Sequence, residues 1–165
     1  MILVPYADNL NVAGTCSHRV QEVKDKIVTE LRRLGFRVHE ETDACTLAQS
    51  LGFLIDGEAG VILPIPERLD RILNAFEWLS HRPVVNGRQV ERLLGHAMHI
   101  CLLRRELFSL CRSLYGFLFA SSFKRQKLWP SAAREARWCS HVLKLCSVDM
   151  RRNWSSSATA SDASL

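Results

Sequence analysis

At Pro66 the hydrophobic period of this chain changes. Before it, one helical stretch apart, apolar residues come in short strand-like runs; after it, they recur every three to four residues almost without a break. Strands followed by helices, rather than interleaved with them, point to an α+β fold: a small antiparallel sheet crossed by one helix, then a helical part.

Ile2, Leu3, Val4 and Tyr6 form an apolar run that meets Asp8-Asn9 and resumes at Leu10, Val12 and Ala13. Asp and Asn accept turn geometry, so this reads as two strands and a tight polar turn. Ser17 offers an N-cap, and Val20, Val23, Ile27, Leu31 and Leu34 then mark one amphipathic helix that Gly35 ends. Phe36 to His39 alternates like a half-buried strand. Leu51 to Ile55 and Gly57 to Leu63 read as a hairpin turning at Asp56-Gly57-Glu58.

Pro66 suits a first helical position, ahead of Leu69, Ile72, Leu73, Phe76 and Leu79. Beyond Asn86-Gly87, one helical face carries Val90, Leu93, Leu94, Ala97 and Cys101, and another carries Leu107, Leu110, Leu114 and Phe117. Trp129-Pro130-Ser131 opens a further helix with Trp138, Val142 and Leu145 on it. Residues 155–165, rich in Ser and Ala, read as a frayed tail.

A hydrophobic share of 47% over 165 residues is enough for a core. No run of eighteen apolar residues marks a membrane span, and the apolar start has no basic segment before it, so an intracellular chain with no membrane partner is expected. The six cysteines show no CxxC spacing and read as small core residues of a reduced compartment. Neither Cys139, His141 and Cys146 nor His96, His99 and Cys101 has the spacing of a four-ligand zinc site. Trp78, Trp129, Trp138 and Trp154 have the rings to stack on bases, but their helical spacing places most of them in the core.

Charge is uneven. Residues 1–60 hold six Lys/Arg against nine Asp/Glu, and residues 61–154 hold sixteen against seven. The basic part, with Arg88, Arg92, Arg104, Arg105, Arg112, Lys124, Arg125 and Lys127, is the candidate for a phosphate-backbone partner; solvated helix faces are the alternative.

Taken in order, the Tyr6-Ala7-Asp8-Asn9 turn, the helix ending at Gly35-Phe36, the strand to His39-Glu40, the Leu51-Gly52-Phe53-Leu54-Ile55-Asp56 segment and the helix at Pro66 resemble reverse transcriptases of DIRS-like and gypsy-like retroelements. In that family a Tyr-x-Asp-Asp hairpin bears metal-binding carboxylates, and a later Leu-Gly-aromatic hairpin grips the primer end. Val90 to His96 resembles the family's Leu-Leu-Gly-His stretch in the thumb or connection. Leu128-Trp129-Pro130, Arg134-Glu135, Trp138 and then Ala160-Ser161-Asp162-Ala163-Ser164 resemble the entry to a ribonuclease H, whose first metal-binding carboxylate would be Asp162.

The resemblance implies a partial reverse-transcriptase palm at 1–65, a helical thumb or connection at 66–127, a connection helix at 128–154, and a tail or first ribonuclease H strand at 155–165. It implies Asp8, Asn9 and Asp162 as catalytic positions, with Asp8 and Asp162 holding Mg²⁺. Tyr6, Leu51, Gly52, Phe53, Arg88, Arg92, Arg104 and Arg105 would contact an RNA–DNA hybrid or DNA. Asn9 replaces the second acidic residue and lacks its charge, and Glu40, Glu41 and Thr42 stand where a Lys is usual. The hairpin comes at the chain's start, without the upstream strand that bears the other carboxylate, and one carboxylate does not build a paired-metal site. The expectation is therefore a truncated remnant of an RNA-directed DNA polymerase, inactive alone. Two alternatives are a nucleic-acid-binding module and a helical protein-interaction domain that self-associates through exposed apolar helices.

Overall fold

The computed structural model describes residues 1–7, 9–121 and 124–152. The fold is α+β, as the change of period requires. Strands β1 (Ile2–Tyr6) and β2 (Asn9–Ala13) pair antiparallel with Tyr6 opposite Asn9. Helix α1 (Ser17–Arg33) follows, its N-cap at Cys16 rather than at Ser17, because Val20 N already donates to Cys16 O (3.0 Å). Gly35, at φ +84°, ends it: Phe36 N reaches back to Leu31 O and Gly35 N to Arg32 O, both at 3.0 Å.

The segment after Gly35 is not a strand. It is held to α1 by side chains instead: Lys24 Nζ pairs with Asp43 (2.8 Å), Arg32 pairs with Glu41, and Gln21 Oε1 accepts from Ala44 N (2.8 Å). Alternation alone does not make a strand where no ladder partner is offered.

A four-stranded antiparallel sheet comes next, in the order β3 (Leu47–Ser50), β4 (Phe53–Asp56), β5 (Val61–Pro64), β8 (Val148–Asp149). The expected β4–β5 hairpin is present, its turn closed by Gly60 N donating to Asp56 O (2.8 Å) with Gly60 at φ +72°. Pro66 opens α2 (Pro66–Ser80) at its first position, and β6 (Val84–Asn86) leads into α3 (Gly87–Cys101). A 3-10 turn (Arg105–Cys111) runs into α4 (Arg112–Ser121), then come β7 (Arg125–Lys127), paired with β6, and α5 (Pro130–Val142), continued by a short 3-10 turn (Leu143–Leu145).

One core gathers α2, α3, α4, α5 and both 3-10 turns, with Phe76, Val90, Ala97, Leu114, Phe117, Ala132 and Ala136 fully excluded from solvent. Helix α5 packs into the same interior as α2, α3 and α4, and β8 joins the sheet of β5. The apolar stretch Leu107–Phe119 mostly faces that core; Phe119, 80% exposed, and Phe108, 38%, are its exceptions.

Three tryptophans correct the sequence reading. Trp78, Trp129 and Trp138 are 45%, 39% and 49% exposed, because their helices turn Phe76, Leu79, Ala132, Ala136 and Cys139 inward instead. The guanidinium of Arg82 lies 4.3 Å from the Trp78 ring centre, and Trp129 meets Phe117 edge-on at 5.7 Å. Trp154 lies outside the described residues.

Candidate nucleic-acid interface

Helix α3 carries Arg88, Arg92, His96 and His99, spaced so that all four lie in one stripe along its surface. The first three are exposed and His99 is half-buried. At 1.5 Å per residue the stripe is about 17 Å long.

Strand β7 adds cations at the N-terminal end of the stripe. Arg125 lies opposite Asn86 and Lys127 opposite Val84, so both basic side chains project from the same face of the β6–β7 pair as Asn86. Asn86 is also the N-cap of α3. Its side chain accepts from Arg88 N (2.9 Å), while Gln89 Oε1 accepts from Asn86 N (3.1 Å). Arg88 and Arg125 thus flank one residue, where the helix dipole adds further positive potential. Arg88, Arg92, Lys124, Arg125 and Lys127 are all exposed, and none is ion-paired among the described residues.

At the other end of the stripe is the β3–β4 turn. Leu51 and Gly52 have φ of +53° and +80°, the pair of left-handed residues that a two-residue hairpin turn demands. For leucine this conformation costs about 1–2 kcal/mol, and its side chain remains 40% exposed, so burial does not offset the strain. Strain held at an exposed turn is a pointer to function. The turn is seated firmly: the Phe53 ring stacks on His99 with centres 4.7 Å apart and planes 8° from parallel. A Cβ at Gly52 would come within 2.7 Å of Arg68 Nη1 and 2.8 Å of His99 Nε2.

His99 Nε2 is buried without a hydrogen-bond partner among the described residues. Burial holds the His99 pKa below its ordinary value, and the Arg68 guanidinium and His96 add to that, against an opposing contact with the Leu51 backbone. His99 is therefore neutral at pH 7, a flat ring under Phe53 rather than a cation beside Arg68.

Of the positions expected to touch nucleic acid, Leu51, Gly52 and Phe53 meet His99 at one end of the α3 stripe, and Arg88 and Arg92 lie along it. Arg104 and Arg105 follow Cys101, beyond the end of α3 away from Arg88; both are exposed, and Arg104 makes a surface ion pair with Glu106 (3.4 Å). Tyr6 is 59% exposed on the β1–β2 hairpin, where Ala7 has φ +51° and Asn9 is exposed. Asp8 and Asp162, the expected Mg²⁺ ligands, lie outside the described residues. Among the described residues no group of three or more His, Cys, Asp or Glu side chains is placed to hold a metal, and neither cysteine–histidine set forms a zinc site. No described helix is long and apolar enough to cross a membrane.

Sequence reasoning missed Arg68 and the seat that His99 provides. Arg88 and Arg92 were named from the sequence as cations for a phosphate backbone, but the contact of their helix with a turn some forty residues earlier was not legible there. Comparison with protein-family models, curated proteins and solved structures finds no match to the chain.

Proposed function

We propose that this chain is a nucleic-acid-binding part of a reverse-transcriptase-like polymerase of the DIRS-like or gypsy-like kind, gripping a primer–template duplex without catalysing polymerisation alone. The observation that carries this reading is the track of cations from Lys124, Arg125 and Lys127 past Arg88 and Arg92, without ion-pair partners among the described residues, which ends at the strained and firmly seated Leu51–Gly52 turn. A polyanion is the partner that such a track suits: phosphates release counterions as they meet Arg and Lys, and an exposed apolar turn is suited to packing against a sugar or base. About 17 Å of track matches roughly five nucleotides of one strand. The order of motifs read from the sequence supplies the polymerase part of the proposal.

The test is fluorescence anisotropy with a labelled RNA–DNA hybrid at two salt concentrations. The log–log salt slope should be about −0.9 per phosphate contacted. Arg88→Glu with Arg125→Glu should weaken binding at least tenfold and flatten the slope, while Arg37→Glu, outside the track, should change little. A salt-independent affinity, or equal losses for both sets, would sink the proposal.

A second reading rests on the uncovered first strands. Met1, Ile2, Leu3, Tyr6 and Leu10 are 43–65% exposed, and α1 buries no residue. This apolar surface, rather than the helices, is what a protein partner or a second copy would cover.

A further inference from the structure

The helical core holds four thiols that nucleic-acid binding does not use: Cys101, Cys111, Cys139 and Cys146, each no more than 2% exposed. Two of them touch. Cys111 Sγ lies 3.7 Å from Cys139 Sγ, where the end of the 3-10 turn meets α5. We propose that Cys111 and Cys139 form a reversible disulfide site, closed by exchange with a low-molecular-weight disulfide such as glutathione disulfide.

An S–S bond is about 2.05 Å long, so the sulfurs must approach by about 1.7 Å, within the reach of small rotations of two cysteine side chains. The hydrogen bond between them separates their roles. One sulfur can be ionised while the other keeps its proton, and Cys111, at the end of the 3-10 turn rather than inside a helix as Cys139 is, is placed to be the first nucleophile.

Access comes through the 3-10 turn. It runs for seven residues, longer than this poorly bonded helix usually persists, and Cys111 is its one buried side chain. Besides Cys111, opening the turn uncovers only the partly buried Leu107 and Leu110 of the core side chains.

In the exchange, Cys111 gives its proton to solvent and its thiolate attacks one sulfur of the small disulfide. A bond from Cys111 to glutathione forms and one glutathione thiolate leaves. Cys139 then loses its proton and attacks Cys111 Sγ, expelling the second glutathione thiolate. The two protein thiols have lost two protons and two electrons; the small disulfide has gained both and leaves as two thiols. The bridge spans 28 residues of sequence and fixes the start of α4 to α5, which restricts the unfolded chain.

The test treats the folded chain with glutathione disulfide, alkylates after denaturation, and maps non-reduced peptides by mass spectrometry. The expected result is a cross-linked Cys111–Cys139 peptide pair, a mass lower by two hydrogens, and a Tm raised by several degrees that dithiothreitol reverses. Cys139→Ala should stop at glutathione on Cys111. A double variant of the exposed thiols, Cys16→Ser with Cys45→Ser, should still form the bridge, and it decides the matter if Cys139→Ala fails to fold. Complete alkylation of Cys111 and Cys139 with modification confined to Cys16 and Cys45, or a bridge from either buried residue to another cysteine, would overturn the proposal.

Discussion

Gly35 and Gly52 hold nearly the same backbone conformation, φ +84° and +80°, for different purposes. Nothing lies within 4 Å of a Cβ at Gly35, so Gly35→Ala should cost only the left-handed strain, about 1 kcal/mol. At Gly52 the same methyl meets the flexible end of Arg68, which can yield, and the stacked His99 ring, which cannot without breaking the contact with Phe53. Gly52→Ala should therefore cost more, about 2–3 kcal/mol, and urea unfolding of the two variants side by side measures the difference. His99 gives a pH dependence of definite sign. Its folded pKa lies below the ordinary 6.5, so its contribution to stability is fully present above that pH. As pH falls through 6.5 the unfolded chain takes up a proton that the folded chain refuses, and stability declines until the folded pKa is reached. The loss in urea midpoint between pH 7.5 and pH 5.5 should be smaller in His99→Phe, which keeps the stack and does not titrate; equal losses would count against this account.

Among the elements, α4 shows how a helix start can be capped from a distance. Its first turn has no acidic residue of its own. Glu135 of α5 supplies the acceptors instead, with Oε1 taking Ser113 N at 2.8 Å and Oε2 taking Leu114 N at 2.9 Å, while the residue is only 9% exposed. A charged acceptor suits the positive end of the helix dipole. Removing it leaves two partly buried amides without partners, so Glu135→Ala should destabilise by about 2–4 kcal/mol in chemical denaturation, and Glu135→Gln by less. Nothing in the sequence ties Glu135 to the start of another helix. By contrast, the start of α2 at Pro66, a helix beyond Asn86-Gly87 and the end of α1 at Gly35 were all legible, because each is decided by residues within a few positions of it. Phe36 to His39 read as a strand and is not one, since strand formation depends on an edge to pair with.

Across the whole molecule, stability is unequally distributed. The buried side chains gather in the helical part, whereas α1 has none and β1 lies fully exposed. Amide hydrogen exchange should therefore be faster by orders of magnitude in α1 than in the buried turns of α2, α3 and α5, although α1 is the longest described helix. Uniform protection across all four would contradict the packing. The same inequality leaves the apolar side chains of β1 and β2 uncovered, and light scattering at rising concentration should detect association that Ile2→Ser with Leu3→Ser reduces.

The sequence by itself determined the α+β class, the change at Pro66, most helix boundaries and the concentration of positive charge in the second part, all of which follow from local periodicity, turn chemistry and composition. Only the tertiary structure decided that Trp78, Trp129 and Trp138 face outward, that β8 closes the sheet beside β5, that His99 seats the Leu51–Gly52 turn, and that Cys111 meets Cys139. Each of those is a contact between residues far apart in the chain. An amphipathic period says which face of a helix turns inward, but it does not say which side chain of another element arrives there.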